Sequence, residues 1–255
     1  MIGCGKMGGA LLSHWLSGGE EFTVVDPAVD SLPDGARLLR DRDEVADEAF
    51  DVIIVAIKPQ MIDEILPGYA SMLSDGGYVL SIAAGASISR LSRLMGDAPV
   101  VRVMPNLPAA VGKGVSGICA GDGADGPVLA HATDMMGRTG TAVVVDDEDR
   151  IDRVTAVSGS GPGYVFEIAR AYVEAAVAQG FSGEEARAMV LGTMEGAIAM
   201  ALEPDAPSLE DLRNSVTSKG GTTAAGLNAL NGDRAISQRL RETLEAAYNR
   251  AVELR

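Results

Sequence analysis

Two glycines and four hydroxyl side chains lie together near the end of the chain, in the stretch TSKGGTT at residues 217–223. A helical pattern resumes after them at Ala224, so the stretch opens a helix. Such a stretch is typical of an ordinary helix N-cap, in which Thr222 or Thr223 accepts a backbone hydrogen bond and glycine permits a tight approach. Taken alone, the stretch favours this N-cap, and another interpretation needs evidence from elsewhere in the chain.

Three glycines open the chain with the spacing G-x-G-x-x-G, at Gly3, Gly5 and Gly8, ahead of another helical pattern. Glycines so spaced permit a tight turn, let the backbone approach a pyrophosphate and let the helix pack closely on a strand. A strand ends at Val25, and Asp26 follows about twenty residues after the glycines, where a carboxylate can bind the ribose hydroxyls of a dinucleotide. The spacing therefore predicts a dinucleotide site, with a ligand-free glycine turn as the alternative.

Asp26 also indicates which dinucleotide binds. A carboxylate at this place repels the 2′-phosphate of NADPH, and no arginine follows within the next ten residues to accept that phosphate. We therefore expect a preference for NADH. The alternative is that Asp26 only caps a turn before Pro27.

Lys58 and Pro59 directly follow one strongly apolar run, in VAIKPQ, and Asn106 follows another, in VRVMPN. Open parallel sheets bind ligands at the carboxyl ends of their strands. Lys58 can then contact cofactor phosphate or ribose, and Asn106 the nicotinamide or the substrate. A solvated lysine and a rigid proline loop are the alternatives at these two places.

The strand that should precede the glycines is short. Only Met1 and Ile2 stand before Gly3, whereas a buried strand usually has about five residues. We expect either a true start upstream of Met1 or an unusually short first strand.

Short apolar runs predict strands from Phe22 to Val145. Most are continuously apolar rather than alternating, which is typical of strands covered on both faces, and helical stretches separate the first of them. The predicted fold class is α/β with a doubly wound parallel sheet. The runs are FTVV (22–25), VIIVAI (52–57), YVLSIA (78–83), VVRV (100–103), VSGICA (115–120) and TAVVV (141–145).

Helical patterns replace the strands in the last two fifths of the chain. One helix ends at Gly180, and Ser182 and Glu185 form a capping-box pattern ahead of a second, which Pro204 ends. These helices are rich in Ala and Gly and have few large aromatic residues with which to fill a core. We therefore predict a dinucleotide-binding domain at residues 1–149 and an all-helical domain at 150–255 that forms an obligate dimer.

The composition excludes several functions. With 21 basic residues against 36 acidic ones the net charge is −15, and phosphate backbones need clustered Lys and Arg, so we expect no nucleic-acid partner. The apolar runs are too short to span a membrane and no leader pattern precedes them, so we expect a cytoplasmic protein. Two cysteines and two histidines lie far apart in the sequence, which predicts no metal site.

Six blocks of the sequence, taken in order, resemble pyrroline-5-carboxylate reductase, the last enzyme of proline biosynthesis. The match spans essentially the whole chain, and the V-x-S-x-G-G-x-T pattern at 216–223 is the family's most specific mark. The blocks are GCGKMGGALL, VAIKP, SIAAG, RVMPNLPAAVGKG, VSGSGPGYVF and DLRNSVTSKGGTTAAGL.

The resemblance implies a Rossmann domain followed by an all-helical domain that interlocks with its twin, in homodimers that often assemble further into decamers. It implies reduction of the cyclic imine of 1-pyrroline-5-carboxylate to L-proline with NAD(P)H, at a site between the two domains. The serine and glycine loop SGSGPGY, residues 158–164, is then structural.

The resemblance also gives the TSKGGTT stretch at residues 217–223 a role. Gly220 and Gly221 let the backbone turn, and the amides that follow bind the substrate carboxylate at a helix N-terminus. Thr223 matches the threonine that binds the imine nitrogen and helps deliver its proton. The predicted substrate-binding residues are Ser218, Gly220, Gly221 and Thr222, and the predicted cofactor-binding residues are Gly3, Gly5, Lys6, Met7, Gly8, Asp26, Lys58, Pro59 and Asn106.

The sequence departs from the family pattern next to these residues. Many members have proline where Lys219 stands, and Asn214 and Ser215 replace a common acidic and polar pair. Lys219 could strengthen carboxylate binding or face water, so its role stays open.

Two other functions compete with this interpretation. A hydroxyacid dehydrogenase of similar build usually relies on a lysine after the interdomain connection, and residues 151–212 contain none. A dinucleotide sensor without catalysis is the second alternative, and Thr223 beside two glycines argues against it.

Overall fold

The computed structural model describes residues 1–254, which form two compact units. The first unit takes residues 1–162 and the chain from Ala246 on, and the second takes residues 163–245. The first unit thus runs past the domain boundary predicted at residue 149. Among the described residues, no helix has both the length and the apolar character that crossing a membrane requires.

Among its described residues the first unit contains seven strands, and each of the six predicted apolar runs contributes one. The seventh strand, β2 at Ala36–Leu39, was not predicted from the sequence. Strands β1 and β2 pair with each other, and β3 to β7 pair in chain order. The bounds are β1 Phe22–Val25, β2 Ala36–Leu39, β3 Phe50–Val55, β4 Leu73–Ser81, β5 Val100–Met104, β6 Gly114–Ala120 and β7 Gly140–Val144.

The sheet is mixed rather than wholly parallel. Strand β6 runs antiparallel to β5, whereas the other paired strands run parallel to each other. The connection from β5 to β6 is only residues 105–113, which brings the chain straight back along its neighbour. The predicted direction is therefore wrong for this pair.

A single residue takes the place of the first strand. Ile2 bridges Val25 of β1 and Val55 of β3, both in the parallel sense. Its amide donates to the Ile54 carbonyl at 2.8 Å, and the Gly3 amide donates to the Val25 carbonyl at 2.9 Å. These bonds join the two-stranded and five-stranded parts of the sheet.

Helices cover both faces of this sheet. Ile54 belongs to one buried apolar cluster while its neighbours Ile53 and Val55 belong to another, and successive side chains of a strand point to opposite faces. The first cluster includes Trp15, whose indole Nε1 donates to the Met135 carbonyl at 2.9 Å. The doubly wound arrangement is confirmed. The helices are α1 Lys6–Trp15, α2 Ile62–Ile65, α3 Ile88–Leu94, α4 Pro127–Gly137 and α5 Glu148–Val154.

The remaining helices follow the predicted pattern. The capping box is confirmed, because the Ser182 amide donates to Glu185 Oε2 at 2.9 Å and the Glu185 amide donates to Ser182 Oγ at 3.3 Å. Gly180, with φ +101°, stands just beyond a helix end as predicted. The helices are α6 Gly161–Ala178, α7 Gly183–Ala201, α8 Leu209–Ser215, α9 Thr222–Asn231 and α10 Ala235–Glu253.

The second unit buries very little within one chain. Among its described residues, the buried hydrophobic side chains are Ala169, Ala186 and Val190, whereas Phe166 is 62% exposed and Leu202 is 77% exposed. A unit of this size cannot be stabilised by so small a core. Its apolar helix faces need a covering surface.

Candidate active site

The glycine turn between Ile2 and α1 needs glycine at position 3. Gly3 has φ +79°, and a Cβ there would lie 2.8 Å from Ile57 Cγ2 and 3.0 Å from the Ala56 carbonyl oxygen. A Cβ on Gly8 would lie 2.5 Å from Met1 Cε. Gly3 thus permits the tight turn, whereas the flexible end of the Met1 side chain can move aside for a side chain at position 8.

Gly5 has a different part in this turn. It has an ordinary φ of −66° and stands at the N-cap of α1, and a Cβ there would meet nothing within 4 Å. No side chain caps the helix, and its first turn contains no acidic residue. The first amides of α1 therefore have no side-chain cap, and they lie at the positive end of a helix dipole beside open space at Gly5, which fits the pyrophosphate of a dinucleotide. Lys6 and Met7 begin the helix, Lys6 exposed and Met7 half-buried.

Asp26 connects the glycine turn to the end of β1. Its Oδ2 accepts from the Cys4 amide at 2.7 Å, and its Oδ1 accepts from the Ala28 amide at 2.8 Å. The turn that the sequence analysis gave as an alternative is therefore present. Each carboxylate oxygen keeps further acceptor capacity, so a contact to the ribose stays compatible with these bonds and remains a prediction.

Arg40 is a residue that the sequence analysis missed. Its guanidinium donates to the carbonyls of Asp26, at 3.3 Å, and of Val29 and Asp30. The parallel register of β1 and β2 pairs Val25 with Leu39, which puts residues 26 and 40 side by side. Recognition of β2 as a strand would have revealed an arginine beside the loop that follows Asp26.

Lys58 and Pro59 lie at the same edge of the sheet as the glycine turn. They follow β3, and the two residues just before them, Ala56 and Ile57, are those that a Gly3 side chain would meet. Lys58 is exposed and precedes the 3₁₀ turn Pro59–Met61. A contact from Lys58 to cofactor phosphate or ribose stays a prediction.

Asn106 is buried and hydrogen-bonded at both ends of its side chain. Its Oδ1 accepts from the Val115 amide at 2.8 Å, and its Nδ2 donates to the Ser158 carbonyl at 2.9 Å. Ser158 belongs to the π-helical turn Thr155–Gly159 between α5 and α6. These bonds hold the turn against the β5–β6 connection, and a contact from Asn106 to the nicotinamide stays a prediction.

The second unit contains the glycine and hydroxyl stretch TSKGGTT at residues 217–223. Gly220 has φ +72°, and Gly221 is the N-cap of α9 with no side chain bonded to the cap. Thr222 and Thr223 are the first two helical residues and both are exposed, so neither is the N-cap that the residues alone favoured. A Cβ on Gly221 would lie 2.3 Å from Ser218 Oγ.

The α9 N-terminus is suited to a small carboxylate. Its first turn contains no acidic side chain, and its leading amides have no side-chain cap. Backbone donors in this position attract an anion, and glycine at 220 and 221 leaves the approach open. The Thr223 hydroxyl lies within the same turn of helix.

The two thiols of the chain are buried and unreactive in character. Cys4 and Cys119 form no disulfide. Burial raises the pKa of both thiols, that of Cys119 to about 11. Among residues 1–254, no group of three or more His, Cys, Asp or Glu is placed to hold a metal ion.

Two family models match the chain. The model described as pyrroline-5-carboxylate reductase dimerisation matches residues 148–254, and the model described as coenzyme F420-dependent NADP oxidoreductase matches residues 1–85. The first match contains the 217–223 stretch, and the second contains the glycine turn, Asp26 and Lys58.

Curated relatives and solved structures agree with these matches. The pyrroline-5-carboxylate reductase of Vibrio alginolyticus is 35% identical, over 99% of this chain and 96% of its own. A pyrroline-5-carboxylate reductase structure from Coxiella burnetii is similar with a TM-score of 0.91 and 32% identity, covering 99% of this chain and 96% of its own. A Plasmodium falciparum pyrroline carboxylate reductase structure with NADP bound has a TM-score of 0.83 and 26% identity, over 99% and 96%. The chain therefore belongs to the pyrroline-5-carboxylate reductase family.

Proposed function

We propose that this chain reduces the cyclic imine of 1-pyrroline-5-carboxylate to L-proline, the last step of proline biosynthesis, with NAD(P)H as cofactor. The observation that carries the proposal is the α9 N-terminus, where the amides lack a side-chain cap and Thr223 stands exposed beside two glycines. A substrate with one carboxylate and one imine nitrogen matches these two features, the carboxylate matching the amides and the nitrogen matching the Thr223 hydroxyl.

The substrate carboxylate binds the amides at the start of α9. Gly220 in the left-handed region turns the chain into the helix, and Gly221 keeps the cap position free of side chain. The helix dipole favours the negative charge. Ser218 and Thr222 flank the same turn and complete the predicted substrate-binding set.

Thr223 orients the imine. With the carboxylate fixed on the amides, the Thr223 hydroxyl hydrogen-bonds the ring nitrogen and helps deliver or orient its proton. Much of the rate acceleration then comes from orientation, because the ring is held at two points before the reaction begins.

The cofactor is held by the first unit. Gly5 leaves the space that a pyrophosphate needs at the start of α1, and Gly3 permits the tight turn before it. Gly8 lies in the first turns of the same helix and is the third glycine of the proposed site. When bound, NAD(P)H supplies the hydride. The remaining proposed contacts are Lys6, Met7, Asp26, Lys58, Pro59 and Asn106.

Asp26 supports a preference for NADH, as the sequence predicts. Its carboxylate lies at the end of β1 and is fixed by two amides. Arg40 is a cation in the same place, and its two terminal nitrogens donate to backbone carbonyls of the 26–30 loop. Repulsion of a 2′-phosphate by Asp26 is then stronger than its attraction by Arg40.

The proposed assembly is a homodimer formed through residues 150–255, with decamers as a further level. The match to the dimerisation model and the exposed apolar side chains of the second unit support the dimer. The division into a cofactor domain at 1–149 and a helical domain at 150–255 is part of this proposal. A cytoplasmic location and the lack of a nucleic-acid partner accord with the net charge of −15.

The proposal is tested by steady-state assays with 1-pyrroline-5-carboxylate and either NADH or NADPH. We expect oxidation of the nicotinamide to match formation of L-proline, measured by mass spectrometry. A correctly folded oligomer that oxidises neither cofactor in the presence of this imine would refute the proposal.

A further inference from the structure

The side chain of Asn106 is fixed between two backbone groups of opposite kind. The Val115 amide can only donate a hydrogen bond, and the Ser158 carbonyl can only accept one. The oxygen of the Asn106 carboxamide must therefore face Val115 and its nitrogen must face Ser158, because the flipped side chain would lose both bonds. These two bonds leave the second hydrogen of Nδ2 for a ligand.

The Ser158 carbonyl is available to Asn106 because of a proline. In an α-helix this carbonyl would accept from the amide four residues later, and that residue is Pro162, which has no amide hydrogen. Ser158 lies in the π-helical turn Thr155–Gly159, a form that is frequent at functional sites. Asn106 thus supplies a donor in place of the absent amide of residue 162.

The segment that leads to Ser158 is itself fixed on β5. Arg102 of this strand is buried, and its guanidinium donates to Glu148 Oε1 at 2.7 Å and to Asp152 Oδ1 at 3.4 Å, both on α5. Asn106 follows the end of the same strand and bonds the turn that comes after α5. The chain around β5 therefore holds α5 through Arg102 and the π-helical turn through Asn106, which gives the Ser158 carbonyl a defined position.

We propose that the segment SGSGP, residues 158–162, is a positioning element for Asn106. The Ser158 carbonyl, which receives no amide from residue 162, orients the Asn106 carboxamide so that its second Nδ2 hydrogen is presented to the carboxamide oxygen of the nicotinamide. This role rests on the proposed function, in which Asn106 contacts that end of the cofactor. Pro162 is then required for its missing N–H and not only as a residue suited to the first turn of α6.

Three variants of the full chain test this role. Pro162→Ala adds an N–H at residue 162. A second protein has at position 162 lactic acid, the ester analogue of alanine, which has the same methyl group but no N–H. Pro127→Ala is the matched control, since Pro127 also lies in the first turn of a helix, α4. The Kd for NADH and for NADPH is measured by fluorescence titration, and Tm is measured for each protein.

We expect Pro162→Ala to raise the Kd for the preferred cofactor by about twofold to tenfold, the range that one hydrogen bond supplies, because the new amide competes with Asn106 for the Ser158 carbonyl. The lactic acid protein and Pro127→Ala should both bind the cofactor like the wild type. Tm should change little in Pro162→Ala, which separates a positioning role from a loss of folding.

Wild-type affinity in Pro162→Ala would overturn the proposal, because an amide at residue 162 would then leave Asn106 unaffected. Equal losses in the alanine and lactic acid proteins would also overturn it, since the proline ring rather than the missing N–H would then be responsible. Cofactor binding is measured without the imine, so its outcome is distinct from a failure to reduce 1-pyrroline-5-carboxylate.

Discussion

Gly5 and Gly9 offer a direct comparison at the scale of single residues. A methyl group on Gly5 would enter the open space at the start of α1, whereas one on Gly9 would make ordinary contact at 3.9 Å with Cys4. We predict that Gly5→Ala raises the KM and Kd for the cofactor by about tenfold or more without lowering Tm, because it fills the space that a pyrophosphate needs.

Gly9→Ala is the matched control for Gly5→Ala. It should leave cofactor binding unchanged and raise stability slightly, since alanine is favoured over glycine inside a helix by about 1 kcal/mol. Titration of each variant by cofactor fluorescence checks both statements. Equal cofactor affinity in wild type and Gly5→Ala would show that the pyrophosphate does not approach Gly5.

The choice of cofactor depends on two side chains, Asp26 and Arg40. We predict a higher kcat/KM with NADH than with NADPH for the wild type, and a smaller ratio for Asp26→Ala, which loses the repulsive carboxylate. Competition assays with both cofactors measure the ratio. If NADPH is favoured by tenfold, about 1.4 kcal/mol, then the Arg40 cation outweighs Asp26 and the assignment is wrong.

At the scale of elements, an ion pair joins the end of α4 to the segment before β1. Arg138 binds Glu20 through two bonds, at 2.6 Å and 2.7 Å, and these lower the Glu20 pKa from its usual 4.5 to about 2. A carboxylate whose pKa is lower in the folded state stabilises the fold above pH 4.5 and loses this contribution as the pH falls toward 2.

We predict that Glu20→Gln costs about 1–3 kcal/mol of unfolding free energy at pH 7 and progressively less from pH 4.5 downward. Urea unfolding of both proteins at pH 7, 5 and 3.5 gives the difference. A difference that is the same at all three pH values would contradict the role of the Glu20 charge.

Much of this architecture could be predicted from the sequence, because buried strands have continuous apolar runs and helices have capping residues. β2 could not, since ARLL is short, is not fully buried and contains a charged residue. Because β2 was not predicted, the position of Arg40 beside Asp26 was not predicted either. The direction of β6 could not be predicted from its apolar run either, because an apolar run indicates burial and not strand direction. The short connection at 105–113 was the feature that indicated an antiparallel neighbour.

The candidate site was less predictable than the fold. Of the three glycines that the spacing singled out, Gly3 has a steric reason to be glycine, whereas a Cβ on Gly5 would meet nothing within 4 Å. Their contacts with the cofactor stay predictions. Thr222 and Thr223 looked like helix caps by residue type, but the cap position is one residue earlier, at Gly221. The distinction between N-cap and first helical residue depends on backbone angles that the residue types do not determine.

At the scale of the whole molecule, the exposed apolar surface predicts association. The second unit exposes many large hydrophobic side chains, whereas soluble monomers rarely expose large continuous apolar surfaces. We predict that light scattering at micromolar concentration gives a dimer or a larger assembly. A folded monomer under these conditions would contradict this account. The exposed residues include Phe166, Tyr172, Ile198, Met200, Leu202, Leu209 and Leu230.

The central claim, that the start of α9 holds the imine, is tested most directly by kcat for three threonine variants. Thr223→Ala should lower kcat by about tenfold to a thousandfold, the range that one positioned proton donor supplies. Thr223→Ser, which keeps the hydroxyl, should retain most activity, and Thr243→Ala in the middle of α10 should retain all of it. Cofactor affinity should stay the same in all three. A Thr223→Ala oligomer with wild-type kcat would contradict the claim, because the proton would then come from water or another group.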